Sequence, residues 1–245
     1  MQGDNLVTIA VLKSVQINQT LNFLYNQVFA ITTRVTIQRS LVSYYASNDK
    51  PDTIFEGAFS DLQTAIGTQS QILAGQIYAN DFSLLPNLSV SDVSYTFPTS
   101  LYPTAIPPIL PGLNSTTSGE ILGPVAVPAT PGSYALSMTI PILNTNVSTT
   151  PRILGYISAI FAASGLQRAV NDSTGMGQTG QLLVVAKNGS HYDIILPPAR
   201  TPQVYEQDFI PGQYPAVAMA FKKRTGYFIS THNAAGAPVS VGYNV

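Results

Sequence analysis

The groups in this chain that could do chemistry are few and widely separated. Of 245 residues, two are His, twelve are Asp or Glu, and none is Cys. His191 and His232 fall in separate strand pairs, and Asp193 alternates onto the same face as His191. One imidazole beside one carboxylate makes a hydrogen-bonded surface pair far more readily than a metal site, which needs three or four ligands. The chain has no Gly-x-Ser-x-Gly turn, no Gly-rich phosphate loop after a strand and no His-Glu-x-x-His helix. A glycosidase carboxylate pair would have to be drawn from distant segments of a chain with no Trp. The segment is therefore expected to be non-catalytic, with no metal and no cofactor.

Charge is equally sparse. Charged residues make up 9% and the net charge is -1, against about 25% charged residues in an average soluble domain. Neither nucleic acid nor an anionic membrane surface is implied as a partner. The one basic cluster, Lys222-Lys223-Arg224, sits where a helix would end before Gly226, and cations favour a helix C-terminus. Near a membrane the same cluster could touch lipid headgroups.

Solubility at such low charge needs another source, and glycan fits. Asn-x-Ser/Thr occurs at Asn18, Asn87, Asn114, Asn146, Asn171 and Asn188, where composition alone would give roughly two or three. Excess sequons point outside the cell. Asn87, Asn114, Asn146 and Asn188 lie in Pro- or Gly-marked loops and turns and are expected to be occupied first.

These groups must be positioned by a scaffold, and its most regular part is near the start. Apolar residues recur at steps of four and three: Ile17, Leu21, Leu24, Val28, Ile31, Val35 and, past Gln38, Val42 and Tyr45. That is a heptad seam between Asp4 and Pro51, a stretch without Gly or internal Pro, and it predicts a helix of roughly 40 residues, about 60 Å long. Asp52 to Ile66 repeats a helical pattern, with Asp52 as a cap and Gly67 as a stop. Strands are expected at Ile72 to Ala79, Glu120 to Val127, Tyr134 to Leu143 and Ile153 to Phe161. Between the first two, Asn87 to Pro111 reads as a Ser-, Thr- and Pro-rich excursion.

Ser164 caps a short helix to Val170, and Asn171 to Gly180 is the best linker in the chain. Leu182 to Ala186 and His191 to Leu196 flank Asn188-Gly189, a hairpin signal. Tyr214 to Lys222 is a candidate helix, and Gly226 to Thr231 pairs with Val239 to Tyr243. Runs of strands broken by single short helices give an α+β class.

Four segments carry a resemblance: LKSVQINQTLNFLYNQ (Leu12 to Gln27), YALSMTIPIL (Tyr134 to Leu143), LGYISAIFAASGLQRAVNDST (Leu154 to Thr174) and ILPPAR (Ile195 to Arg200). Together they resemble the extracellular sensor domain of the fungal osmosensing transmembrane hybrid histidine kinases. The likeness implies a long N-terminal helix, residues 1–51, and two tandem PAS-like (double Cache) antiparallel-sheet domains. The membrane-distal one would span 52–174, and a membrane-proximal one, shortened at its end, 175–245.

It also implies a homodimer on the extracellular face of the plasma membrane, anchored by flanking spans, with the kinase and phosphorelay inside the cell. No catalytic residue of that family falls within the chain, and the pattern of aromatic residues and Arg by which some bacterial Cache domains hold amino acids is not found, so the ligand is left open. The expected function is sensing of an osmotic or turgor-related stimulus, with the seam residues relaying it. The other reading is a secreted or wall-associated carbohydrate-binding glycoprotein.

Overall fold

The computed structural model describes residues 2–47, 49, 52–69, 71–91, 96–106, 119–144, 153–176, 181–188, 191–196, 215–222, 225–232 and 238–244. The N-terminal rod is two helices, not one: α1 (Gln2–Thr32) and α2 (Val35–Ala46). No Gly or Pro marks the break. The Thr32 and Thr33 hydroxyls donate to the carbonyls of Phe29 and Ala30 at 2.7 and 3.0 Å, the local bonding by which Thr competes with helix continuation. Arg34 then takes extended backbone, φ -68 and ψ 120. The Thr32 carbonyl freed by the break accepts from buried Gln38 Nε2 at 2.8 Å, and the Arg34 guanidinium pairs with Asp61.

This break resets the phase of the apolar stripe. Leu24, Val28 and Ile31 are buried within the chain, whereas Val35 and Val42 are 56% and 42% exposed, and Ile37 and Leu41 take the buried positions instead. The continuous seam expected from the sequence therefore stops at Ile31.

Contacts divide the chain into two compact units, residues 22–163 and residues 1–21 with 164–245. The first holds a five-stranded antiparallel sheet of β1 (Ile72–Ala79), β2 (Leu84–Ser91), β3 (Glu120–Ala126), β4 (Tyr134–Leu143) and β5 (Ile153–Ala162). Their order is β2-β1-β5-β4-β3. β2 was not expected: its Pro86 and polar residues resemble a loop, but β2 is an edge strand, where Pro is tolerated. Pro141 lies in interior β4 only because β3 has already ended opposite Thr139.

β4 and β5 are buried along nearly their whole length, as strands covered on both faces must be. One face is covered by α2 and by α3 (Glu56–Gly67), which follows a 3-10 turn at Asp52–Phe55. The approach is close enough that a Cβ on Gly75 would lie 2.6 Å from Ile66 Cδ1. Tyr45 ties α2 to the sheet, its hydroxyl donating to the Leu154 carbonyl and accepting from the Asn80 amide, each at 2.8 Å. The opposite face is covered in part by Phe97, Leu101 and Val127, packed on Ala74, Ala135 and Ile160.

The second unit holds the first five turns or so of α1, α4 (Ser164–Asn171), the hairpin β6 (Val184–Asn188) and β7 (His191–Leu196), α5 (Pro215–Ala220), and the hairpin β8 (Thr225–His232) and β9 (Pro238–Asn244). Ile194 packs with Leu183, Val185 and Val217. Gly242 lies against the Leu6 carbonyl, leaving no room for a side chain. Lys13 is buried and donates to Asp172 Oδ2 at 2.6 Å, while Asp172 Oδ1 accepts from the Thr174 hydroxyl and amide.

Candidate functional site

The register of the five strands sets side chains in rows across the sheet. Directly paired residues share a face, because side-chain direction alternates along each strand. Ser89 of β2 pairs with Gln76 of β1, Gln76 with Ser158 of β5, Ser158 with Thr139 of β4, and Thr139 with Glu120 of β3. Every position in this row is polar. Ser137, two residues from Thr139, adds a hydroxyl in the neighbouring row. The row lies on the face opposite α2 and α3.

Its two sides are different. Beyond Ser137 stands the apolar cover of Phe97, Leu101 and Val127 over Ala74 and Ile160. On the other side Tyr78 pairs with Tyr156 across β1 and β5. Phe82 stacks on Tyr78 at 4.7 Å between ring centres and meets Tyr156 edge-on at 5.3 Å. Phe82 holds a left-handed backbone, φ 68, a conformation that costs a bulky residue about 1–2 kcal/mol. The tight turn is fastened by its own amide to the Ala79 carbonyl and by the Asp81 carboxylate on Ser83.

Burial of the row shows in its chemistry. Tyr78 donates to Gln76 Oε1 at 3.0 Å, and burial, with a smaller contribution from Tyr102, pushes its hydroxyl up to about 12. Burial also raises the Glu120 carboxyl and the Tyr102 and Tyr156 hydroxyls above their ordinary values. Ser137, Thr139 and Ser158 are at most 2% exposed, and among the described residues their hydroxyls have no hydrogen-bond partner. A buried hydroxyl left unpaired costs about 1–3 kcal/mol. All three lie on one face of β4 and β5. The five strands contain no Lys, Arg or His and one carboxylate, Glu120. The side chains of the row are hydrogen-bonding groups without a nucleophile–base pair among them.

The residues singled out in the sequence lie elsewhere. Asn18 on α1, Asn87 on β2 and Asn171 at the end of α4 are exposed, and Asn188 closes β6. Asn114 and Asn146 lie outside the described residues. Ile17 and Leu21 are partly buried. His191 opens β7 and His232 closes β8, and among the described residues no three His, Asp or Glu come together to hold a metal. Lys222 is exposed beyond α5, while Lys223 and Arg224 are outside the described residues. A concavity lined by Tyr25, Phe29, Gln38, Ile140, Pro141 and Leu143 lies beside the helix break. No described helix is long and apolar enough to cross a membrane.

The described residues form an α+β scaffold whose five-stranded sheet is covered by α2 and α3 on one face and carries the polar row on the other. Comparison with known proteins places it further. The chain is 29% identical over 210 residues to the osmosensing histidine protein kinase SLN1 of Saccharomyces cerevisiae, a match covering 81% of this chain and 17% of that protein. The resemblance drawn from the four sequence segments is borne out.

The fold is similar to the ligand-binding domain of the Pseudomonas fluorescens chemoreceptor CtaA, solved in complex with L-alanine, with TM-score 0.52, 14% identity, and coverage of 95% of this chain and 85% of that one. The extracellular domain of vpHK1S-Z8 aligns over 98% and 93% of the two chains at 13% identity, but its TM-score of 0.43 is too low to bear on the fold. No family model matches.

Proposed function

We propose that this chain is the extracellular sensor module of a transmembrane histidine kinase and relays an osmotic or turgor-related stimulus to an intracellular phosphorelay. The observation that carries the reading is the 29% identity to the yeast osmosensing kinase over 81% of the chain. The α+β fold shared with a chemoreceptor ligand-binding domain supports it. In this reading residues 52–174 are membrane-distal, residues 175–245 membrane-proximal, and the receptor is a homodimer at the cell surface. Leu24, Val28 and Ile31 are occupied in the chain's own core, so pairing through α1 would draw on its exposed apolar residues, such as Leu12 and Val15, 63% and 46% exposed.

The test is a chimera in which this chain replaces the aligned segment of the yeast kinase. Phosphorelay output should fall when osmolarity is raised, as in cells carrying the parental receptor. Output that ignores osmolarity, from a chimera present at the cell surface in normal amount, would reject the reading.

A further inference from the structure

The last stretch of the chain joins exposed aromatic rings to a run of cations. We propose that Phe221, Lys222 and Tyr227 form a docking surface for the headgroup layer of a lipid bilayer that bears anionic phosphate. The proposal rests on the reading of residues 175–245 as membrane-proximal and names what that unit touches. Three observations carry it. First, the Phe221 and Lys222 amides close the turn after α5 on the Val217 and Met219 carbonyls, and this leaves Phe221 41% exposed with Lys222 exposed beside it. Tyr227, the third residue of β8, is 46% exposed. Second, from Phe209 to Val245 the sequence has Lys222, Lys223 and Arg224 and no Asp or Glu. This stretch is cationic within a chain whose net charge is -1, and each Lys or Arg near an anionic lipid surface is drawn to it. Third, Tyr227 pairs with Gly242 across β8 and β9, so the two share a face of the hairpin. That face meets α1 near its start, where the Leu6 backbone fills the space a Cβ on Gly242 would need. In the proposed receptor the start of α1 is the part of the helix nearest the first membrane span, and Tyr227 stands on that side.

The residue types suit such a surface. Tyr places an apolar ring and a polar tip across the boundary between water and acyl chains, Phe buries its ring there, and Lys lays its apolar stem along the boundary with the ammonium at the level of the phosphates. Other occupants fit less well. An acidic peptide would engage the cations and leave the rings in water. A second copy of the chain, paired through this patch about a two-fold axis, would bring like charges together across the axis.

The chain has no Trp, so Phe221→Trp supplies the sole indole as a reporter. The reference is Phe59→Trp, on α3 in the other unit and 37% exposed at present. Each chain is held on vesicles by a polyhistidine tag ahead of Met1 and a nickel-chelating lipid, as the first span would hold it. The vesicles are equimolar phosphatidylcholine and phosphatidylglycerol with bromine on the acyl chains. Bromine quenches on contact, so the indole must reach the boundary between headgroups and acyl chains, and tethering alone leaves it bright.

The expected result is emission from Phe221→Trp reduced at least about twofold against unbrominated vesicles, with Phe59→Trp unchanged. Adding Lys222→Glu or Tyr227→Ser to Phe221→Trp should restore most of the emission, with the circular dichroism of the parent retained. No quenching of Phe221→Trp, equal quenching of both reporters, or quenching indifferent to Lys222→Glu and Tyr227→Ser would overturn the proposal. So would a blue shift of Phe221→Trp emission that grows with protein concentration in the absence of vesicles, since that would assign the patch to a second copy. A chimera that answers osmolarity while the indole stays unquenched would strike this surface and leave the sensor reading standing. Quenching beside an unresponsive chimera would do the reverse.

Discussion

Thr139 and Ser158 face each other across the β4–β5 pair, both buried and neither hydroxyl partnered. A directly opposed pair of hydroxyls usually satisfies itself across strands. Here each hydroxyl is buried without that bond, and this has a measurable consequence for stability.

Thr139→Val keeps the shape of the side chain and removes the orphan oxygen. The variant is expected to be more stable than the parent by about 1 kcal/mol, the usual worth of removing a buried unsatisfied group. Urea unfolding monitored by circular dichroism reads this directly. A loss of stability would mean that the hydroxyl is already well bonded in solution.

Two glycines at the ends of the same contact should respond in opposite directions. Gly75→Ala drives a methyl into Ile66 and is expected to cost about 1–3 kcal/mol. A Cβ on Gly67 meets nothing within 4 Å, so Gly67→Ala should stabilise by up to about 1 kcal/mol through helix propensity and the restricted unfolded chain. Thermal melts of the two variants decide the matter, and equal shifts would show that α3 does not press on β1 as described.

On α1, adjacent residues are expected to behave as opposites. Leu24 is 1% exposed and Phe23 51%. Leu24→Asp loses about 1.5–3 kcal/mol of burial and adds several more for an unpaired carboxylate, enough to unfold the unit. Phe23→Asp should stay within about 0.5 kcal/mol. Should Phe23→Asp nevertheless silence a receptor that folds normally, the exposed side of α1 is an interface.

Asp172 provides the clearest dependence on pH. The Lys13 ammonium bonded to it, and then the Thr174 hydroxyl and amide, hold its carboxyl well below the ordinary value of 3.8. A depressed folded-state value adds stability that is fully present above 3.8 and is lost as pH falls toward the folded value. In Lys13→Met the titration of Asp172, followed by carboxyl-carbon NMR, should move up toward 3.8. An unchanged titration would place the cause in Thr174 alone.

Glycan mapping tests the sequons. Expressed through a eukaryotic secretory pathway, the chain should carry glycans at Asn87, Asn114, Asn146 and Asn188, read as conversion to Asp by enzymatic deglycosylation in heavy-oxygen water. Asn87 lies in strand β2 and not in a loop as the sequence suggested, but it is exposed; Asn18 and Asn171, also exposed, are expected at lower occupancy, Asn18 because a glycan beside the apolar stripe of α1 would obstruct packing. Unconverted Asn87 and Asn188 would count against secretion.

How much of this was legible in the sequence depends on how local the signal is. Continuous apolar runs announced β1, β4 and β5, and Asn188 before Gly189 announced the β6–β7 hairpin. The break at Thr33 was not read, because Thr-Thr is a weak stop and only its hydroxyl bonds to Phe29 and Ala30 reveal it. The polar row was out of reach for a different reason. Each member is one Ser, Thr, Gln or Glu within or at the end of a largely apolar strand, and only the pairing register assembles them. A sequence signal did exist, Ser137 and Thr139 two apart inside YALSMTIPIL, a polar pair at strand period where every neighbour is apolar.

The prolines in the outer strands have a consequence of their own. The five-stranded sheet ends in β2, with Pro86, and in β3, with Pro124 beside a register shift. Each removes a donor from a rim that would otherwise template a further strand. With Pro in both outer strands, the sheet is a poor template for edge-to-edge pairing between copies of the chain, however concentrated they become.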